Sequence, residues 1–299
     1  MARKHHFVPQ FYLSAFTDPI SRDNPTPYLW VVDMQKGTMK RRSVKNVAYN
    51  TGFYEWKEMG GKAPSIESIY SQIESRTVLV MKKLWSGDFK LTDKERYYLS
   101  IFLGLQLTRT PRFRKASQDA LIKHALDWAD KIIGNEDALE KLLYKSNARK
   151  KPGDAPLMAE DIQGFVQNRR FKVIPNLDYT LQTTLRAGLE FSKLIFTMRW
   201  LFVVAVENTH FFTCDMPLAL LTPDAKPREV DFDDFHNPEL EMAFPISPLC
   251  ILLMRDHDFP ETIAYVADDV VNEINRRIIP VVDRYVFCSS ERQGRWALE

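Results

Sequence analysis

An α+β fold follows from three features of this 299-residue chain: both ends read as strands, the middle reads as helices, and one polar linker interrupts the helical zone. That linker, Asn147-Ala148-Arg149-Lys150-Lys151-Pro152-Gly153-Asp154, lies inside the helical zone rather than between two complete cores. The expected organisation is one α+β domain over 1–299. An N-terminal β segment (1–61), a helical region (62–199) and a C-terminal β-rich segment (200–299) pack as one globule.

The elements follow in order. Tyr28-Leu29-Trp30-Val31-Val32-Asp33 predicts a strand running into the turn Gln35-Lys36-Gly37, and Phe53-Tyr54-Glu55-Trp56 predicts strand again before Gly60-Gly61. From Ser65, apolar residues Ile66, Ile69, Tyr70, Ile73, Val78 and Val80 recur at helical spacing until about Gly87. Thr92 and Glu95 make a capping-box pattern ahead of Tyr97, Tyr98, Ile101, Phe102 and Leu105, and Pro111 closes that helix. Further helices are expected over 117–133, 136–144, 159–168 and 178–198. The C-terminal zone predicts a hairpin, Leu201–Val206 with His210–Thr213, joined at Glu207-Asn208-Thr209. Strands Cys250–Met254 and Tyr285–Ser289 follow, with a helix from Asp268 to Ile279 between them.

Composition removes several classes of function. Hydrophobic residues make up 45% and charged residues 27%, as in ordinary folded chains, and a net charge of +2 leaves any nucleic-acid surface to local clustering. Three distant cysteines, Cys214, Cys250 and Cys288, argue against a disulfide framework or zinc knuckle. No run is long enough to span a membrane. Pro9, Gln10 and Ser14 break what would be a signal-peptide core, so a cytoplasmic, unprocessed protein is expected. Gly-x-x-x-x-Gly-Lys, Gly-x-Gly-x-x-Gly, Gly-x-Ser-x-Gly and His-Glu-x-x-His patterns are all missing.

The most informative segment is Lys4-His5-His6-Phe7-Val8-Pro9-Gln10-Phe11-Tyr12. Its apolar residues favour burial, which carries the two imidazoles inward with them. On the helix after Ser65, Glu67 and Glu74 are seven residues apart and share a face with Tyr70 between them. Such carboxylates are metal ligands, an acid–base pair or a solvated stripe. Gln106 and Arg109 share a face of the next helix, where a buried Arg requires a carboxylate partner. Asp215 follows the apolar run Phe211–Cys214 and precedes Pro217, which places it at a strand end as a cleft residue or in an Asx turn. The alternating acidic stretch Glu229, Asp231, Asp233, Asp234 with His236 reads as a cation site, a strand or an exposed loop. Basic clusters at Lys40-Arg41-Arg42 with Lys45, Arg112 with Arg114 and Lys115, Arg149-Lys150-Lys151, and Arg169-Arg170-Phe171-Lys172 track phosphates if they share a face, and otherwise only solubilise.

Taken together, His5-His6-Phe7-Val8-Pro9-Gln10-Phe11-Tyr12-Leu13, the Glu-bearing helix, Gln106-Leu107-Thr108-Arg109-Thr110-Pro111-Arg112-Phe113-Arg114 and Thr213-Cys214-Asp215-Met216-Pro217 resemble the bacterial domain-of-unknown-function family 4238. Phe244-Pro245-Ile246-Ser247-Pro248, with Asn272 and Asn275, resembles its closing pattern, so the resemblance spans nearly the whole chain. Cys214 departs from it, standing where the family usually shows serine. The resemblance supplies a residue shortlist rather than an activity: His5, His6, Gln10, Glu74, Gln106, Arg109 and Asp215.

Two imidazoles, carboxylates, an amide and an arginine drawn from distant segments lead to the expectation of a metal-dependent phosphodiester hydrolase, most plausibly a nuclease on DNA or RNA, with phage defence as its setting. In that scheme His5, His6, Glu74 and Asp215 hold a divalent metal (Mg, Mn or Zn), or Glu74 acts as general base. Arg109 stabilises phosphoryl charge, Gln10 orients water, and Arg41, Arg42, Arg112, Arg114 and Lys115 hold the nucleic acid. The competing expectation is a non-catalytic nucleic-acid or protein recognition module, in which the same polar residues form a buried hydrogen-bond network.

Overall fold

The computed structural model describes residues 4–54, 66–151, 153–221, 237, 239–256 and 259–299. Glu55, Trp56, Gly60, Gly61, Ser65 and the acidic stretch 229–236 lie outside the described residues. By internal contact the chain forms two compact units, one of Met1–Arg114 with Leu181–Glu299 and one of Lys115–Thr180.

The elements in order are β1 (Lys4–His6), α1 (Gln10–Leu13), β2 (Tyr28–Asp33), β3 (Thr38–Ser43), β4 (Tyr49–Thr51), α2 (Ile66–Trp85), α3 (Asp93–Thr108), α4 (Pro111–Ile133), α5 (Glu136–Asn147), α6 (Ala159–Gln167) and α7 (Leu177–Thr197). They continue with β5 (Arg199–Ala205), β6 (Thr213–Cys214), β7 (Ala219–Leu221), β8 (Glu241–Ser247), β9 (Cys250–Arg255), β10 (Ile263–Val266), α8 (Asp268–Ile278), β11 (Tyr285–Cys288) and α9 (Glu291–Trp296). The fold is α+β, with helices concentrated in the middle of the chain and strands toward both ends.

In the first unit, an antiparallel sheet runs β3-β2-β11-β6, so an N-terminal strand pairs directly with a C-terminal one: Val32 lies opposite Val286 and Trp30 opposite Cys288. A second sheet runs β10-β5-β9-β8-β7, antiparallel except for the β10-β5 pair. The hairpin expected between Leu201–Val206 and His210–Thr213 does not form. Both edges of β5 are occupied by β9 and β10, and the following segment reaches only a two-residue ladder with β11. Thr213 is the only residue of the expected second arm that lies in a strand.

The helices obey their local signals. The Thr92 hydroxyl accepts from the Glu95 N–H (3.3 Å) while Glu95 Oε2 accepts from the Thr92 N–H (2.8 Å), a reciprocal cap that fixes the start of α3. Pro111 ends α3 and also opens α4, six residues before the periodicity alone suggests, because proline's fixed φ suits the first helical position. Where α3 meets α7, a Cβ on Gly104 would stand 2.2 Å from the Gly188 carbonyl oxygen and 2.7 Å from the Ser192 nitrogen. Only glycine permits that crossing.

The N-terminal segment is anchored in the core of this unit. Phe7, Val8, Tyr12, Leu13 and Phe16 are all buried. Tyr12 donates its hydroxyl hydrogen to the Pro245 carbonyl (2.7 Å), its hydroxyl oxygen lies 2.6 Å from that of Thr213, and its ring stacks on Phe244 at 5.0 Å. The smaller unit is tied by a bidentate Arg169–Asp130 pair (2.9 and 2.6 Å) and by Asn147, whose amide both donates to and accepts from the Leu157 backbone. Among the described residues no helix is long and apolar enough to cross a membrane.

Candidate functional site

Strand β1 carries His5 and His6 to the rim of a hollow of about 740 Å³ in the first unit, and α2 and α3 supply its acidic and guanidinium groups. Its lining includes His5, His6, Gln10, Glu67, Glu74 and Arg109. The fold therefore brings together five of the six residues given catalytic or metal roles, along with Glu67, the helical partner of Glu74. Alternation along β1 sends the two imidazoles different ways. His5 is buried and accepts the Tyr54 N–H at Nδ1 (3.0 Å), which leaves the proton on Nε2, 3.8 Å from Glu67 Oε2. His6 is half-buried, its ring 5.6 Å from Tyr49, and the Gln10 amide donates to its Nδ1 (3.3 Å). With the Gln10 amide nitrogen as donor, the neutral ring carries its proton on Nε2. Burial lowers the pKa of His6 below the usual imidazole value, with Lys4 and Arg109 adding to the fall and the Lys45 carbonyl and Glu74 opposing it.

Arg109 is the hub. Only 3% of it is exposed, and an uncompensated guanidinium so deep would be costly. Its Nη1 donates to Glu74 Oε1 (2.7 Å) and its Nε to Gln106 Oε1 (2.7 Å), while Gln106 in turn donates to the Phe7 carbonyl (2.9 Å). One chain of bonds thus runs from α2 through α3 to the N-terminal segment. Tyr70 and Phe102 lie beneath the guanidinium at 5.3 and 5.7 Å, and burial pushes the Tyr70 hydroxyl up to about 12.

Two donors in this hollow are left over. His6 Nε2 and Arg109 Nη2 are buried and have no hydrogen-bond partner among the described residues. Around them stand Lys4 and Lys45, both exposed, and Lys4 reaches across the Tyr49 ring (4.2 Å) to Asn46 Oδ1 (3.1 Å). A buried donor without an acceptor costs free energy on the order of 1–3 kcal/mol, and a surplus of donors beside cations suits an anionic acceptor.

Asp215 is not part of this hollow. Its carboxylate accepts the backbone N–H groups of Asp283 (3.1 Å), Arg284 (2.8 Å) and Tyr285 (2.8 Å), the turn-capping alternative, and closes the entry to β11. Burial pushes it up to about 7, and the three N–H donors act in the opposite sense. Of the expected metal set, His5, His6 and Glu74 line the hollow and Asp215 does not. Glu74 Oε1 is held by Arg109, and His5 Nδ1 is held by Tyr54. Among the described residues no group of three or more His, Cys, Asp or Glu side chains is placed to hold a metal ion.

The expected phosphate contacts also divide. Arg112 turns inward to the Val281 carbonyl (3.4 Å) and Met216 Sδ (3.8 Å). Arg114 donates to the Phe53 carbonyl (2.6 Å) and lies 4.3 Å above that ring. Arg41, Arg42 and Lys115 are exposed, and Arg41 stacks on Trp30 and Tyr28. Cys214, Cys250 and Cys288 are buried free thiols whose pKa values burial raises, so none is a ready nucleophile. Sequence reasoning missed Lys4, Tyr54, Tyr70 and Ser71 as lining residues. Only the pairing of β1 with β4 and the approach of α2 place them there.

One family model, described as "Protein of unknown function (DUF4238)", matches residues 4–292. No curated protein and no solved structure matches the chain.

Proposed function

The chain belongs to the DUF4238 family, which carries no assigned activity, and on that premise we propose from the hollow itself that the protein is a phosphodiester hydrolase acting on nucleic acid. The observation that carries the reading is the pair of buried donors that have no acceptor among the described residues, His6 Nε2–H and Arg109 Nη2–H, in one hollow rimmed by Lys4 and Lys45. A phosphoryl group offers several oxygen acceptors and negative charge, which answers both deficits. Neither donor atom touches bulk water in this conformation, so ligand entry is coupled to rotation of side chains at the rim, where Lys4, Gln10 and Lys45 are exposed.

In this reading Arg109 and His6 donate to phosphoryl oxygens and stabilise the charge that grows there as water attacks. Glu74 keeps one oxygen on Arg109, and its other oxygen accepts the proton of the attacking water. The water oxygen bonds to phosphorus, the P–O ester bond breaks, and the departing oxygen is protonated from solvent. Gln10 positions the His6 ring. No step is routed through a metal, since among the described residues no group of three or more His, Cys, Asp or Glu side chains is placed to hold one.

Cleavage of labelled DNA and RNA, single-stranded and duplex, in Mg²⁺, Mn²⁺ and EDTA tests the reading. His6→Ala removes one charge-stabilising donor and is expected to lower kcat/KM by about 10²-fold, while Glu74→Gln removes the base for a loss of roughly 10²–10⁴-fold. Both variants are to be checked for cooperative melting. The absence of cleavage of any substrate under all three conditions overturns the hydrolase. The second reading, a recognition module, is favoured by one observation: the Glu74–Arg109–Gln106–Phe7 chain of bonds also serves to pin the N-terminal segment.

A further inference from the structure

Beside the hollow lies a second concavity of about 370 Å³, floored by β2, β3 and β11. Alternation along β3 turns Thr38, Lys40 and Arg42 to this side, while Arg41 stacks on Trp30 on the other. Lys36 joins them from the turn. Lys36, Lys40 and Arg42 are exposed and have no ion pair among the described residues. The acidic group present, Asp33, is already neutralised: Arg284 holds it through three contacts of 2.8 to 3.2 Å. The concavity therefore keeps three uncompensated cations. Tyr49 and Tyr285 also line it; both rings are half-buried, and each has one cation over it, Lys4 at 4.2 Å and Arg284 at 4.8 Å.

The two concavities share part of a wall. Asn46 lines both, and Tyr49, on the wall of the second, packs against His6 and lies under Lys4 in the first. Cationic side chains thus follow one another from Lys36 through Lys40 and Arg42 to Lys45 and Lys4 and on to Arg109. Side chains two apart on a strand repeat at roughly 6.6 Å, a spacing comparable to that of successive phosphates along an extended single strand. Cations along a groove with aromatic rings in its wall are how single strands are held without regard to sequence. A duplex presents no unstacked base faces to the tyrosines.

We propose that this groove is the track for single-stranded nucleic acid, with the backbone on Lys36, Lys40 and Arg42 and one phosphate led past Asn46 into the hollow of His6 and Arg109. The inference rests on the hydrolase reading and names its substrate class.

The test is fluorescence anisotropy of a labelled 20-nucleotide single strand, and of a duplex of the same length, across a salt titration. Wild type, the double variant Lys40→Ala/Arg42→Ala, and His6→Ala are compared, each checked by thermal melting. The proposal expects tighter binding of the single strand than of the duplex. It also expects at least a tenfold loss of affinity in the double variant, and a salt slope flatter by about 1.4 for two phosphate contacts removed. Equal binding by the double variant, preference for the duplex, or equal competition by polyglutamate or anionic vesicles overturns it. Failure of the two ideas is distinguishable. Single-strand binding that needs Lys40 and Arg42 but gives no turnover removes the hydrolase and keeps the groove; turnover unchanged in the double variant removes the groove and keeps the hydrolase.

Discussion

His6 titrates under opposed pressures. Burial and the cations Lys4 and Arg109 hold its pKa below 6.5, while the Lys45 carbonyl and Glu74 pull it up. For folding, a depressed imidazole pKa gives stability that is present above pH 6.5 and lost as pH falls through the folded value. For binding the sign reverses. An anion in the hollow favours the imidazolium, so the bound protein takes up a proton over the pH range between the free and bound pKa values. Affinity for a phosphorothioate dinucleotide should therefore rise on going from pH 7.5 to pH 5.5, and His6→Ala should flatten that dependence. Titration calorimetry at the two pH values reads it, and an affinity independent of pH in wild type contradicts it. Two residues show the reach of the sequence at this scale. His6 and Arg109 were legible because polar groups among so many apolar neighbours must be accounted for when buried. Asp215 was ambiguous, because a cleft carboxylate and a turn cap have the same local sequence.

At the scale of elements, signals that are local in the chain were legible and pairings that are distant were not. The capping box at Thr92 fixes α3, and the turn after β2 has Gly37 at φ +60°, a conformation that favours glycine. Strand β3, polar and largely exposed, gave no alternating pattern to read; its partner β2 makes it a strand. The mistaken hairpin has the same origin, since β5 finds its partners in β9 and β10, far along the sequence. The crossing of α3 and α7 was equally hidden. It makes a definite prediction: Gly104→Ala drives a methyl into the Gly188 carbonyl and the Ser192 backbone, neither of which can turn aside as a side chain can. The expected cost is about 1–3 kcal/mol or more, seen as a melting midpoint lowered by several degrees. A midpoint equal to wild type would mean that the helices separate without loss.

Across the molecule a net charge of +2 hides an uneven distribution. Arg112, Arg114 and Arg284 are tied to carbonyls, rings or a carboxylate, while Lys36, Lys40 and Arg42 have no ion pair among the described residues. Composition reads only the sum; the sheet pairing β3-β2-β11 sorts the charges. The same folding carries β1 from the start of the chain to α2 and α3, so the hollow draws on segments a hundred residues apart, as the bond from Gln106 to Phe7 records. What that hollow holds is the central claim. The most direct measurement is the ¹H–¹⁵N spectrum of histidine-labelled protein with and without the phosphorothioate dinucleotide. A new hydrogen bond should shift the His6 Nε2–H resonance downfield, and Arg109→Lys should weaken the effect. A His6 resonance unmoved at saturating ligand would contradict the account.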